Sequence, residues 1–291
     1  MCLGQGASAD ERGQLPPYRL PYFSMRYCKF LLAENTPAFA AVTDRNDELF
    51  ATKLIPDPLG PQTAPLPAQS FEPISLAQLE REHRLLVPVT PTKIVCVGRN
   101  YRDHATELGN EVPTEPLLFL KPPSSLLPAG AKVDYPAISK RVDFEGELAI
   151  IIGKQARKLA DDADVAPYIH GYTCLNDVTA RDIQKSDPQW TRGKGFDTFC
   201  PTGPVVSNEI HPLSENISLT TRLNGEVKQR GETRDFIFDM PHLLRYISAC
   251  MTLEPGDIIA TGTPAGVAPM QPGDVVEVEI TGLATLRNAI T

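Results

Sequence analysis

Two acids one residue apart open the chemical reading of this chain. In Asp143-Phe144-Glu145-Gly146-Glu147-Leu148 the pattern is that of a strand, and residues two apart in a strand share a face. Glu145 and Glu147 are therefore expected side by side, where like charges repel unless a cation or a proton lies between them. The segment continues as Leu148-Ala149-Ile150-Ile151-Ile152, which carries the pair into a core. Paired carboxylates at the mouth of a buried strand suit a hard, oxygen-liganded ion such as Mg²⁺, Mn²⁺ or Ca²⁺. The solvated face of an edge strand would give the same pattern. Asp177, just past the apolar run Gly171 to Leu175, is a candidate third ligand. Its other reading is a cap for a helix over Thr179 to Gln184.

His104 and Glu107 stand three apart, on one face if the segment is helical. A carboxylate beside an imidazole orients it and raises its basicity, which suits a general base that activates water. An ordinary surface pair has the same spacing. Lys194 lies between two glycines in Thr191-Arg192-Gly193-Lys194-Gly195, where backbone and ammonium can approach an anion. In the tight loop Gly262-Thr263-Pro264-Ala265-Gly266, Thr263 offers a hydroxyl and an N–H. Each loop could also be a plain turn. H-E-x-x-H, G-x-S-x-G and a strand-then-helix G-x-G-x-x-G are absent, which argues against zinc peptidases, serine hydrolases and dinucleotide-dependent dehydrogenases.

The elements that must hold these groups are mostly strands. Residues 27–54 alternate apolar and polar, with turns at Glu34-Asn35-Thr36-Pro37 and Asp44-Arg45-Asn46-Asp47. Six prolines within 56–73 mark a linker. Ser75 caps an expected helix reaching Leu86. Ile94 to Val97 reads as a buried strand, and Asn100 as the cap of a helix over Tyr101 to Leu108 that stops at Gly109. One unbroken strand is expected over Val142 to Ile152. Pro255-Gly256-Asp257 and Pro272-Gly273-Asp274 each turn into a strand. The division is an extension at 1–24, a small module and linker at 25–90, and a catalytic domain at 91–291.

The 291 residues suffice for one large domain, or for one domain plus a small one. A net charge of −8 without basic clusters argues against nucleic acid and anionic membranes. No apolar run approaches the ~18 residues that cross a bilayer. Six scattered cysteines without a C-x-x-C pair read as mostly buried free thiols of a reducing, cytoplasmic compartment. The first 24 residues lack the apolar segment of a signal peptide.

Taken in order, the chain resembles the fumarylacetoacetate hydrolase family over residues 91–291. The resemblance rests on Val97-Gly98-Arg99-Asn100-Tyr101-x-x-His104-x-x-Glu107, Phe119-Leu120-Lys121-Pro122 and Asp143 to Leu148. It continues through Asn176-Asp177-x-Thr179-Ala180-Arg181-Asp182-x-Gln184, Lys194-x-Phe196-Asp197, Gly203-Pro204, Gly262-Thr263-Pro264-x-Gly266-Val267, Pro272-Gly273-Asp274 and Leu286-Arg287-Asn288. The segment from Met25 to about Val87 is similar to the N-terminal module of bacterial members.

The resemblance implies a mixed β-rich α+β fold, the family's β-roll, and a homodimer. It makes Glu145, Glu147 and Asp177 the ligands of a divalent ion, usually Mg²⁺. His104 and Glu107 match the water-activating dyad, carried on a lid helix in several members. Lys194 matches the lysine that holds substrate oxygens, and Arg181, Gln184 and Thr263 match substrate contacts. Arg99 and Lys121 are further anion contacts. The implied activity is a hydrolase or lyase that cleaves a C–C bond of a small 2-keto acid, such as an acylpyruvate or oxaloacetate, through an enolate. The other implied activity is an isomerase or tautomerase of an enol dicarboxylic acid in aromatic catabolism. Ala268 and Ala284 replace glycines common in the family. Val97 stands where the namesake branch has a further acidic ligand, which places the chain in the smaller bacterial branch.

Overall fold

A computed structural model of the protein describes residues 24–60, 71–107 and 111–291. Residues 1–23 of the expected extension, most of the proline-rich linker, and the expected helix end at Leu108 and Gly109 lie outside them. Twelve strands form the main sheet. Its path runs Ile74–Ser75, Glu48–Ile55, Pro37–Arg45, Arg26–Leu31, Cys200–Ser207, Ile169–Asn176, Gly146–Ile152, Ile258–Ala260, Ile94–Gly98 and Leu117–Lys121. Every residue of Gly146–Ile152 and of Cys200–Ser207 is buried. Strands covered on both faces read as continuous apolar runs, and Leu148 to Ile152 is one.

The meander over 26–55 follows from its turns. Asn35, Asn46 and Asp47 take φ of 57°, 54° and 64°, the left-handed region that Asn and Asp tolerate. Tyr27 sits opposite Val206, so the first segment adds its strands to the sheet of the larger region. A second sheet of five strands runs Glu226–Glu232, Ser218–Leu223, Val275–Ile280, Leu286–Ile290 and Lys132–Val133. Its Leu219, Val278 and Ile280 share one core with Leu148, Ile150 and Cys174 of the main sheet. The helix Met240–Cys250 is capped by Asp239, which accepts from the His242 N–H at 2.8 Å, and buries Leu243, Leu244 and Ile247 in that core. The result is the β-rich α+β roll that the sequence implied. Cys28, Cys96, Cys174 and Cys200 are buried free thiols, and Cys250 is exposed.

Four elements differ from expectation. The Ser75-capped helix covers only Leu76–Arg81, and Leu85–Leu86 then joins the main sheet. The helix Arg102–Glu107 is not capped by the Asn100 side chain. Asn100 instead donates to the Phe238 and Thr261 carbonyls and accepts from the Phe238 N–H, tying three loops together. The third helix begins at Arg181, because Thr179–Ala180 forms a strand of a small three-stranded sheet.

The fourth difference bears on the chemistry. Val142–Asp143 belongs to that small sheet, and Gly146–Ile152 to the main one. The chain changes sheets at Phe144-Glu145, and side chains replace the interrupted ladder. The Glu145 N–H donates to Asn176 Oδ1 at 2.9 Å, and the Gly146 N–H to Gln229 Oε1 at 3.0 Å. A Cβ on Gly146 would meet Thr221 Oγ1 at 2.0 Å, so any larger residue at this crossing must displace that buried hydroxyl.

Candidate metal centre and active site

Sheet register brings the acids together. Gly146 pairs with Asn176, so Glu145 and Asp177 leave adjacent antiparallel strands at the same end. The Asp177 N–H donates to the Glu145 carbonyl at 2.8 Å. Glu147 follows as the second residue of the strand Gly146–Ile152. Carboxylate oxygens of Glu145, Glu147 and Asp177 lie within 4.8 Å of one another, and all three residues are buried. Glu145 shares this site although it sits in the break between strands, not on one continuous face with Glu147. Asp177 caps no helix.

Three cations press on the cluster. Lys194 Nζ donates to Glu145 Oε2 and Asp177 Oδ2, each at 2.7 Å. Lys121 Nζ donates to Asp177 Oδ1 at 2.6 Å and to the Val178 carbonyl at 3.1 Å. Arg181 reaches Glu145 Oε1 at 2.5 Å and Asp143 Oδ2 at 2.9 Å. Its third contact is Gln184 Oε1 at 2.7 Å. Burial opposes ionisation of Glu145, but Lys194 and Arg181 outweigh it and hold its carboxyl well below the usual range. Burial likewise works against the Lys194 ammonium, and Asp177 and Glu145 more than restore it. Removing one partner from such buried pairs strands a charge, which is costly.

Glu147 is different. Its Oε2 accepts the Gly262 N–H at 2.7 Å, and among the described residues no lysine or arginine side chain bonds to it. Burial, then Asp177 and Glu145, push its carboxyl well above the ordinary range. A buried carboxylate that lacks a cationic partner, between two others, fits a divalent cation: the donors are hard oxygens and the local charge calls for one. These three acids are the residues that could hold it.

His104 is 4% exposed, and its Nδ1 lies 3.5 Å from Glu107 Oε2. That is a contact, not a hydrogen bond, and Nδ1 is buried without a partner. Burial lowers the imidazole pKa, against the pull of Glu145. The ring is therefore neutral near pH 7 and can accept a proton. Glu107 is held from the other side, where both its oxygens accept the Gly266 N–H at 3.1 Å.

A cavity of about 210 Å³ joins these groups. Nine of the eleven residues anticipated from sequence line it: Arg99, His104, Glu145, Glu147, Asp177, Arg181, Gln184, Lys194 and Thr263. Lys121 reaches Asp177 from within the protein, and Glu107 lies behind His104. Lys194 ends the short helix Thr191–Lys194 and is buried, so it is not an open glycine loop awaiting an anion. Sequence reasoning passed over four contributors. Trp190 and Phe119 form an edge-on aromatic wall with centroids 5.2 Å apart, Trp190 lying against Gly98. Asn176 fixes Glu145. Gln229 donates to Thr263 Oγ1 at 2.7 Å and to the Pro264 carbonyl at 2.8 Å.

Residues 93–291 match the family model for the fumarylacetoacetate (FAA) hydrolase C-terminal region. The chain belongs to the fumarylacetoacetate hydrolase family. A mitochondrial oxaloacetate decarboxylase of Dictyostelium discoideum is 49% identical over 203 residues, 67% of this chain and 92% of that protein. The mitochondrial oxaloacetate tautomerase FAHD1 of Bos taurus is 42% identical over 198 residues, 67% of this chain and 89% of that protein. A solved structure of 2-hydroxyhepta-2,4-diene-1,7-dioate isomerase from Mycobacterium marinum superposes with a TM-score of 0.79 at 39% identity. It covers 92% of this chain and 98% of its own. Within this fumarylacetoacetate hydrolase fold, Val97 lines the cavity beside the three acids, so that position offers no fourth carboxylate.

Proposed function

We propose that this protein is a divalent-metal-dependent enzyme that acts on small 2-keto acids, cleaving a C–C bond by hydrolysis or decarboxylation. The observation that carries the reading is one cavity that holds three converging buried carboxylates and a buried, neutral imidazole. Glu145, Glu147 and Asp177 would hold Mg²⁺, which supplies stabilisation of negative charge developing on a keto-acid oxygen. The chain's own residues do the rest. His104, kept neutral by burial, takes a proton from water or from the carbon beside the carbonyl. Glu107, anchored by Gly266, stands behind it and favours the imidazolium as it forms. Lys194 and Arg181 present fixed positive charge to the reacting end, and Arg99, Gln184 and Thr263 complete its walls. Trp190 and Phe119 shield the site from bulk water on one side.

A second reading is a tautomerase, in which His104 moves a proton between carbon and oxygen and no bond to carbon is cut. The relatives named above, which include a tautomerase and a decarboxylase of oxaloacetate, support a keto-acid substrate for both. The test is turnover of acetylpyruvate and oxaloacetate with Mg²⁺, following pyruvate and enol absorbance together. Pyruvate that appears with Mg²⁺, stops with chelator and collapses in His104→Ala supports cleavage. A metal-dependent enol change without pyruvate supports the tautomerase. Neither signal overturns the proposal.

A further inference from the structure

The site cations are largely spoken for: Lys121, Lys194 and Arg181 all bond to carboxylates of the protein. Lys185 is not. Among the described residues its ammonium has neither an ion pair nor a hydrogen bond, yet it lines the cavity over the three acids. It also lines a second cavity of about 270 Å³, bounded by Glu107, Arg141, Arg181 and Val267. Among the described residues, only Arg181 and Lys185 border both spaces. The cause is helical: within Arg181–Ser186, positions 181, 184 and 185 share one face, and Arg181, Gln184 and Lys185 all point it at the first cavity. The other groups around the second cavity are already matched. Arg141 forks onto Asp143 at 2.8 and 3.1 Å, and Glu107 is engaged by the Gly266 N–H. Lys185 is left as the uncommitted positive charge between the two spaces.

We propose that Lys185 is a specificity residue that receives the far carboxylate of a dicarboxylic 2-keto acid while the keto-acid end occupies the cavity of Glu145, Glu147 and Asp177. The proposal rests on the keto-acid reading above and narrows its substrate class. A one-carboxylate keto acid of similar length leaves Lys185 unused. An exposed ammonium on a flexible stem makes a screened contact, so the expected effect is roughly tenfold at low salt and smaller at high salt.

The experiment compares oxaloacetate with acetylpyruvate, whose far end carries no charge, in wild type, Lys185→Ala, Lys185→Glu and Lys185→Arg with Mg²⁺. The ratio of kcat/KM for oxaloacetate to that for acetylpyruvate should fall about tenfold in Lys185→Ala. It should fall further in Lys185→Glu, return in Lys185→Arg, and converge at high salt. A ratio within twofold of wild type in both Lys185→Ala and Lys185→Glu overturns the proposal. If wild type turns over neither acid, the keto-acid reading fails by itself. Calorimetric binding of succinate then decides the subsite: weakening of about tenfold in Lys185→Glu supports it, and equal or absent binding in wild type and variant overturns it.

Discussion

Replacing Gln229 by leucine tests whether the acid cluster is held by the buried cross-sheet amide. Gln229 is fully buried, and it makes three hydrogen bonds: one accepted from the Gly146 N–H and two donated to Thr263 and Pro264. Leucine has nearly the same volume, so little cavity forms and the loss is polar. The Gly146 N–H and the Pro264 carbonyl would be left buried and unpaired, at about 1–3 kcal/mol each. Thr263 keeps its bond to the Gly146 carbonyl at 2.8 Å and adds little. Allowing for partial relaxation, Gln229→Leu should cost about 3 kcal/mol, or roughly 6 °C in Tm for a chain of this size. The assay is urea unfolding followed by far-UV dichroism, with Arg230→Ala as an exposed neighbour expected within about 0.5 kcal/mol of wild type. Gly146 separates the two glutamates, so Mg²⁺ should also raise the Tm of Gln229→Leu less than that of wild type. A cost under about 0.5 kcal/mol with an unchanged Mg²⁺ shift would refute the reasoning.

Other consequences are equally direct. Glu147→Gln replaces a buried carboxyl, pushed toward its neutral form by burial and its acid neighbours, with a neutral group of the same shape, so metal-free stability should hold or rise while the Mg²⁺-dependent Tm shift disappears; a large metal-free loss in calorimetry would contradict this. His104→Asn should lower kcat by about 10²–10⁴-fold and leave the Mg²⁺ shift intact. Burial lowers the His104 pKa, so the acid limb of wild-type activity should fall below pH 6.5; a limb above pH 7 argues against His104 as the base. His170, far from the acids, is pushed down to about 4 by burial. The unfolded chain therefore takes up that proton first, and stability present at pH 7 is lost as pH falls from about 6.5 to about 4. The loss should be about 2–3 kcal/mol, and His170→Gln should flatten that part of the stability–pH curve.

How far the sequence carried the reading depended on range. Glu145, Glu147 and Asp177 were legible because residue type, local alternation and a strand end are short-range signals. The strand break at Phe144-Glu145 was not, since it arises where two sheets meet through Asn176 and Gln229. Asn100 was read as a cap because its position permits one; its partners, Phe238 and Thr261, are remote in sequence. Lys121, Arg181 and Lys194 were read as anion contacts, and only the fold reveals that they meet the protein's own carboxylates. Gln229, within the polar strand Glu226–Glu232, carries no local mark of its burial.

The acids are set by the register of two neighbouring strands, whereas Lys185 stands on the short helix Arg181–Ser186 and Trp190 immediately before the helix Thr191–Lys194. A one-residue slip of those strands would turn a whole buried run outward, so the spacing of the acids is nearly immutable. The encircling pieces answer to no such constraint. Substitutions there can change which molecule is accepted and leave the reacting centre as it was. In such a protein the acid cluster is inherited with the sheet, and the choice of substrate is open to drift, selection or redesign one wall residue at a time.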